Sequence, residues 1–185
     1  EFLFSVDEET GLTGANALGG AMLAGKTLLN LDSEEEGAVY VGCSGGKNTL
    51  ASWKLALEAP PAGMMAARLK VGGLKGGHSG LEIDKNRGNS IKIITRVLVA
   101  LGNSGVRLST MEGGNKHNAI PREAEALVFV PKKKWEQAAK LVASCQDVIR
   151  GELGKVDPDL VITLDALKGK KAKVMKKTMQ KKLLQ

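Results

Sequence analysis

From Pro60-Pro61 onward the apolar residues fall into six segments whose periods alternate, and that order leaves few folds open. Residues 66–74, 106–111, 124–130 and 160–164 read as strands, whereas 89–101 and 135–153 repeat apolar residues at the spacing of a helix with one buried face. Asn89 and Ser90 can cap the first helix, and Gly102 is a natural stop for it. Strand, helix, strand, strand, helix, strand is the order of a split βαβ unit, which predicts a ferredoxin-like α+β sandwich. With aromatic residues at only 3% and 23 glycines, its core must be aliphatic and its turns tight.

The chain ahead of this unit has a different character. Residues 2–6 read as a buried strand, 13–22 as a glycine-broken helix, and 27–31 as a second strand that ends at Asp32. Strand, helix, strand predicts part of a parallel α/β sheet, the kind that collects acidic ligands at its strand ends. The sequence therefore divides into a partial α/β domain over 1–45, the sandwich over 46–167, and a lysine-rich segment over 168–185. The first residue is Glu1 rather than Met and a strand is already in progress, so the chain is read as an internal piece of a longer protein.

The net charge of +7 suggests nucleic acid as a partner, but residues 168–185 hold eight lysines and no acid, which leaves the rest close to neutral. Val174, Met175, Thr178, Met179, Leu183 and Leu184 recur there at roughly helical spacing, and no aromatic residue interleaves the lysines. An amphipathic helix with a solvated lysine face is the better reading than a nucleic-acid surface. No apolar run reaches the roughly 18 residues of a membrane span. Cys43 and Cys145 lack the spacing of a thiolate metal site or a disulfide framework. The expected setting is soluble and cytoplasmic.

Three clusters carry chemistry. Asp7-Glu8-Glu9-Thr10-Gly11 places three carboxylates at a strand end, where mutual repulsion is costly unless a cation relieves it. A ligating carboxylate beside one that takes a proton from water would combine Lewis-acid and general-base chemistry; a solvated acidic turn fits the pentapeptide as well. Asp32 brings a second acid to the end of a second strand. In Gly76-Gly77-His78-Ser79-Gly80, glycines surround one of only two histidines, giving either an imidazole presented on a bare loop or a structural histidine. Asn118-Ala119-Ile120-Pro121 could aim an amide at a ligand or serve turn chemistry.

Taken in this order, Asp7-Glu8-Glu9-Thr10-Gly11, Leu31-Asp32-Ser33-Glu34-Glu35-Glu36-Gly37, Gly76-Gly77-His78-Ser79-Gly80 and Asn118-Ala119-Ile120-Pro121-Arg122-Glu123 resemble the aminoacyl-histidine dipeptidases of the di-zinc M20 metallopeptidase family. The resemblance implies two divalent metal ions, zinc in the family, with Glu9 and Asp32 as ligands and Glu8 as the general base. It further implies a lid domain whose histidine, here His78, steadies the oxyanion, and whose asparagine, here Asn118, contacts the substrate. Lids of this family mediate homodimerisation. His117 stands where related bacterial enzymes would be expected to carry Arg. The expected function is hydrolysis of dipeptides of the Xaa-His type by the full-length protein, with this piece inactive by itself. The alternatives are a non-catalytic dimerisation and substrate-lid module, or another peptidase or amide hydrolase of the same family.

Overall fold

A computed structural model of the chain describes residues 2–8, 11–29, 31, 35–42, 47 and 49–185. It separates into two compact units, Glu1–Ala51 and Ser52–Gln185. In chain order the regular elements among the described residues are α1 (Thr13–Asn16), β1 (Leu57–Glu58), β2 (Met64–Gly72), β3 (Gly77–His78), α2 (Ser90–Asn103), β4 (Arg107–Gly113), β5 (Ala119–Ile120), β6 (Ala124–Pro131), α3 (Trp135–Leu153), β7 (Val161–Leu167), β8 (Val174–Met175) and α4 (Lys177–Leu184).

The second unit is built on a four-stranded sheet in the order β4-β6-β2-β7, antiparallel throughout. With α2 between β2 and β4, and α3 between β6 and β7, this is the ferredoxin-like sandwich. Strand alternation decides its faces. Ala67, Leu69 and Val71 of β2 join the main core, while Arg68 and Lys70 between them are exposed on the other face.

Over that core lie Ile93, Ile94, Val97, Leu98 and Leu101 of α2, and Ala138, Val142 and Ile149 of α3. This is the apolar stripe that helical periodicity requires. Asn89 starts α2 by accepting hydrogen bonds from the amides of Ile91 and Lys92, both at 3.1 Å. The helices are tied together at the surface by Arg96 and Glu152, a two-pronged pair at 2.7 and 2.8 Å.

The lysine-rich segment differs from its expectation as a separate helix. Val174 and Met175 are buried in β8, which pairs with β1, and only the stretch from Lys177 is helical. The reason is local. A bulge at Ser109 in β4 turns that side chain toward the incoming segment, where its hydroxyl donates to the Lys173 carbonyl at 2.7 Å. In α4 the side chain of Gln180 accepts from the Leu108 amide at 2.9 Å and donates to the Val106 carbonyl at 3.1 Å. Lys177, Lys181 and Lys182 remain exposed, so the helix is amphipathic, with an amide at the centre of its buried face.

In the first unit α1 is a single turn, and the described residues of 2–6 and 27–31 form no strand. Asp7 and Leu12 both take left-handed backbone angles. The chain doubles back between them, so that the amide of Gly14 meets the carbonyl of Val6 at 3.2 Å. A parallel strand exists only as a pairing, and these segments have no strand neighbour among the described residues: Phe2, Phe4 and Leu31 are 95%, 91% and 90% exposed.

Gln180→Ala removes the acceptor and donor that join α4 to β4 and leaves two main-chain groups unpaired in the interior. The expected loss of unfolding free energy is about 1–3 kcal/mol, read by urea denaturation. An unchanged midpoint and slope would contradict the placement of α4.

Candidate functional site

The loop that joins β2 to α2 is long, and its glycines are dictated by what it passes. Gly73 has φ +74°, and a Cβ there would lie 1.8 Å from the Asp159 carbonyl oxygen. Beyond it Leu74 is buried as an anchor. Asp157, fully buried, accepts from the Lys75 amide through Oδ1 at 2.8 Å and from the Gly88 amide through Oδ2 at 2.6 Å. One carboxylate therefore clasps both ends of the loop. It satisfies two backbone donors that would each cost free energy if left unpaired.

Within the clasp, β3 pairs with β5 so that His78 faces Ala119, and the Ser79 amide donates to the Asn118 carbonyl at 2.8 Å. His78 and Asn118 are thus brought together although 40 residues separate them. The backbone of the histidine is held from its other side. Glu82 accepts from the His78 amide at 2.9 Å and is paired with Arg87 at 2.6 Å and Lys85 at 3.3 Å. Arg87 in turn donates to the Gly76 carbonyl. Gly77 makes room for this network: its φ is +139°, and a Cβ would meet the Arg87 guanidinium and the Glu82 carboxylate. The His78 amide first, then Lys85 and Arg87, hold the Glu82 carboxyl below its ordinary range against the opposing effect of burial.

The imidazole of His78 is exposed, yet its orientation is set. Nδ1 accepts from the amides of Gly80 and Leu81, both at 3.1 Å. A ring nitrogen that receives two N–H donors carries no proton, so the neutral ring carries it on Nε2, where it faces no acceptor among the described residues. The loop is therefore a fixed mount for one outward N–H donor.

Beside it opens a groove of about 870 Å³ whose lining includes Ser79, Arg87, Lys92, Arg96, Lys116 and His117. Glu82 balances Arg87 and Glu152 balances Arg96, whereas Lys92 and Lys116 have no ion pair among the described residues. An anionic group entering beside His78 meets a favourable field.

The acidic cluster is a different matter. Glu8 is exposed in the first unit, next to Asp7, whose carboxylate accepts from the Thr13 hydroxyl at 2.7 Å. Glu9 and Asp32 lie outside the described residues. Among the described residues no three His, Cys, Asp or Glu side chains come together as a metal site. No helix among them is long and apolar enough to cross a membrane.

Sequence reasoning missed Glu82, Arg87 and Asp157. The first two follow the histidine by four and nine positions in a glycine-rich loop, a signal that was there to use. Asp157 precedes Pro158 and reads as turn chemistry, with nothing to show that its carboxylate turns inward.

The profile of the peptidase dimerisation domain of the M20 family matches residues 63–157, which hold the loop just described and the sandwich as far as Asp157, short of β7. This chain belongs to the M20 peptidase family. The cytosol non-specific dipeptidase of Escherichia coli (strain K12) is 39% identical over 179 residues, which is 96% of this chain and 37% of that protein. The crystal structure of aminoacylhistidine dipeptidase from Vibrio alginolyticus superposes with a TM-score of 0.79 at 35% identity, over 97% of this chain and 37% of that one. The chain thus spans a little over a third of the length of these M20 relatives.

In the dimerisation domain, Asp157→Ala strips the Lys75 and Gly88 amides of their acceptor. The expected cost is about 1–3 kcal/mol, with amide exchange rising selectively over 75–88 while the sheet stays protected. Exchange that rises uniformly, or not at all, would contradict the clasp.

Proposed function

We propose that this chain is part of a cytoplasmic metal-dependent dipeptidase and supplies its substrate lid, with hydrolysis of Xaa-His or similar dipeptides by the whole protein. The observation that carries the reading is the mount of His78: an imidazole with Nδ1 fully occupied and an Nε2–H donor turned outward beside Asn118. Amide hydrolysis builds negative charge on the former carbonyl oxygen, and a donor already oriented toward that oxygen stabilises it without reorganisation. In this assignment His78 donates to the oxyanion and Asn118 contacts the substrate. The positive groove favours a ligand that carries a carboxylate, as every dipeptide does.

The base is assigned to Glu8, which takes the proton of the attacking water and passes it to the leaving amine. The names of the dipeptidases to which the chain is similar support the substrate class. Two divalent ions, zinc by the family resemblance, would polarise the carbonyl and acidify the water, with Glu9 and Asp32 among their ligands. The roles given to Asn118 and Glu8 rest on the family resemblance, and that of His78 on the resemblance together with the geometry of its mount.

A second reading concerns the chain by itself: a dimerisation module that assembles two copies of the parent, as the name of the matched domain implies. The two readings are compatible, one for the parent and one for the sandwich.

The test is dipeptide hydrolysis by the parent protein loaded with divalent metal. Glu8→Gln is expected to abolish turnover, and His78→Ala to lower kcat by about 10²–10³ fold, the usual effect of losing an oxyanion donor. A parent that cleaves no dipeptide, or a His78→Ala variant with full activity, would overturn the proposal.

A further inference from the structure

His78 is exposed, and an exposed side chain on a glycine-rich loop ordinarily has several rotamers and two ring tautomers open to it. Here its orientation rests on two hydrogen bonds to Nδ1, from amides two and three residues further along the same loop. Those bonds form only if the 78–82 segment is curled, and the curl closes where the Glu82 amide reaches the His78 carbonyl at 3.1 Å. Glu82 is also the acceptor for the His78 amide at 2.9 Å. The same two residues are therefore joined through both peptide groups of the histidine, with the Glu82 carboxylate as the side-chain half of the link. That carboxylate is anchored in turn by Arg87 at 2.6 Å, and Arg87 reaches back to Gly76 on the near side of the histidine.

We propose that Glu82 is the positioning residue of His78, holding the peptide from which the imidazole projects so that Nδ1 stays on the Gly80 and Leu81 amides and the proton stays on Nε2. This deepens the dipeptidase reading and rests on it for its catalytic consequence, although the tautomer itself does not. Glu82 touches no reacting atom and acts only through His78. Removing the carboxylate frees the His78 amide and leaves Arg87 with the Gly76 carbonyl but without its ion pair, and the ring then samples the orientation in which Nδ1 carries the proton and Nε2 presents a lone pair. A lone pair repels an oxyanion where an N–H would stabilise it.

The test has two arms. In the first, the His78 ring nitrogens of this chain are observed by ¹⁵N NMR in the unmodified protein and in Glu82→Ala, with Glu82→Gln as the conservative variant whose amide oxygen can still accept from the His78 amide. The Nε2–H form is expected to dominate in the unmodified chain and in Glu82→Gln, and to give way to a mixture in Glu82→Ala while the sheet resonances stay in place. In the second arm, dipeptide hydrolysis by the parent is measured for Glu82→Ala, His78→Ala and the double variant. Glu82→Ala is expected to lower kcat by about tenfold or more with KM changed less than about twofold, and to cost nothing further once His78 is gone.

An unchanged tautomer in Glu82→Ala overturns the proposal whatever the parent does. So does an equal loss of kcat with and without His78. A parent without dipeptidase activity removes the functional reading alone, and the tautomer then decides the positioning role by itself.

Discussion

The buried carboxylate of Asp157 is the contact on which the rest of the site depends. It sits just past α3, the second helix of the sandwich, and grips the amides of Lys75 and Gly88, the two ends of the loop that carries the histidine. A loop with this many glycines has a large conformational entropy to lose, and pairing its ends shortens what must be ordered by the weaker bonds inside. Because β2, β7 and α3 are themselves packed on one aliphatic core, the clasp transmits the rigidity of the sheet to a surface turn. Everything nearer to His78, from the Glu82 and Arg87 pair to the short β3–β5 ladder, operates inside that frame.

Inside it the charges form a graded series. Asp157 neutralises backbone donors at the base, Glu82 organises the middle with the help of Arg87 and Lys85, and at the rim Lys92 and Lys116 face the groove without ion pairs among the described residues. Fixed dipoles and unbalanced cations together make a surface that receives developing or resident negative charge, as the proposed chemistry requires. The loop belongs to the stretch that matches the peptidase dimerisation domain of the M20 family.

The sandwich was legible because its signals are local. Trp135 to Leu153 carries its own helical period, Asn89 its own cap, and the strands their own alternation, so propensity and packing agree. His78 and Asn118 were legible as motifs, and the β3–β5 pairing brings together the two loops that carry them. The tail misled because Val174 and Met175 fit a helical spacing as well as a strand, and the choice was made by the bulge at Ser109 and by pairing with Leu57 and Glu58, neither of which a period reveals. The strands read at residues 2–6 and 27–31 depend on neighbours that no described residue supplies. Asp157 and Glu82 stayed hidden for the opposite reason: a carboxylate that accepts backbone donors leaves no pattern in the residues around it.

The measurement closest to the centre of this account is the affinity of the parent for a phosphinate dipeptide analogue, whose tetrahedral anion imitates the oxyanion, compared between the unmodified protein and His78→Ala. If the loop exists to present an Nε2–H donor to that charge, the inhibition constant should rise by the same factor by which kcat/KM falls, while the affinity for the unreacted dipeptide stays nearly constant. An analogue that binds equally well without His78 would contradict the account and leave the loop as a feature of the scaffold alone.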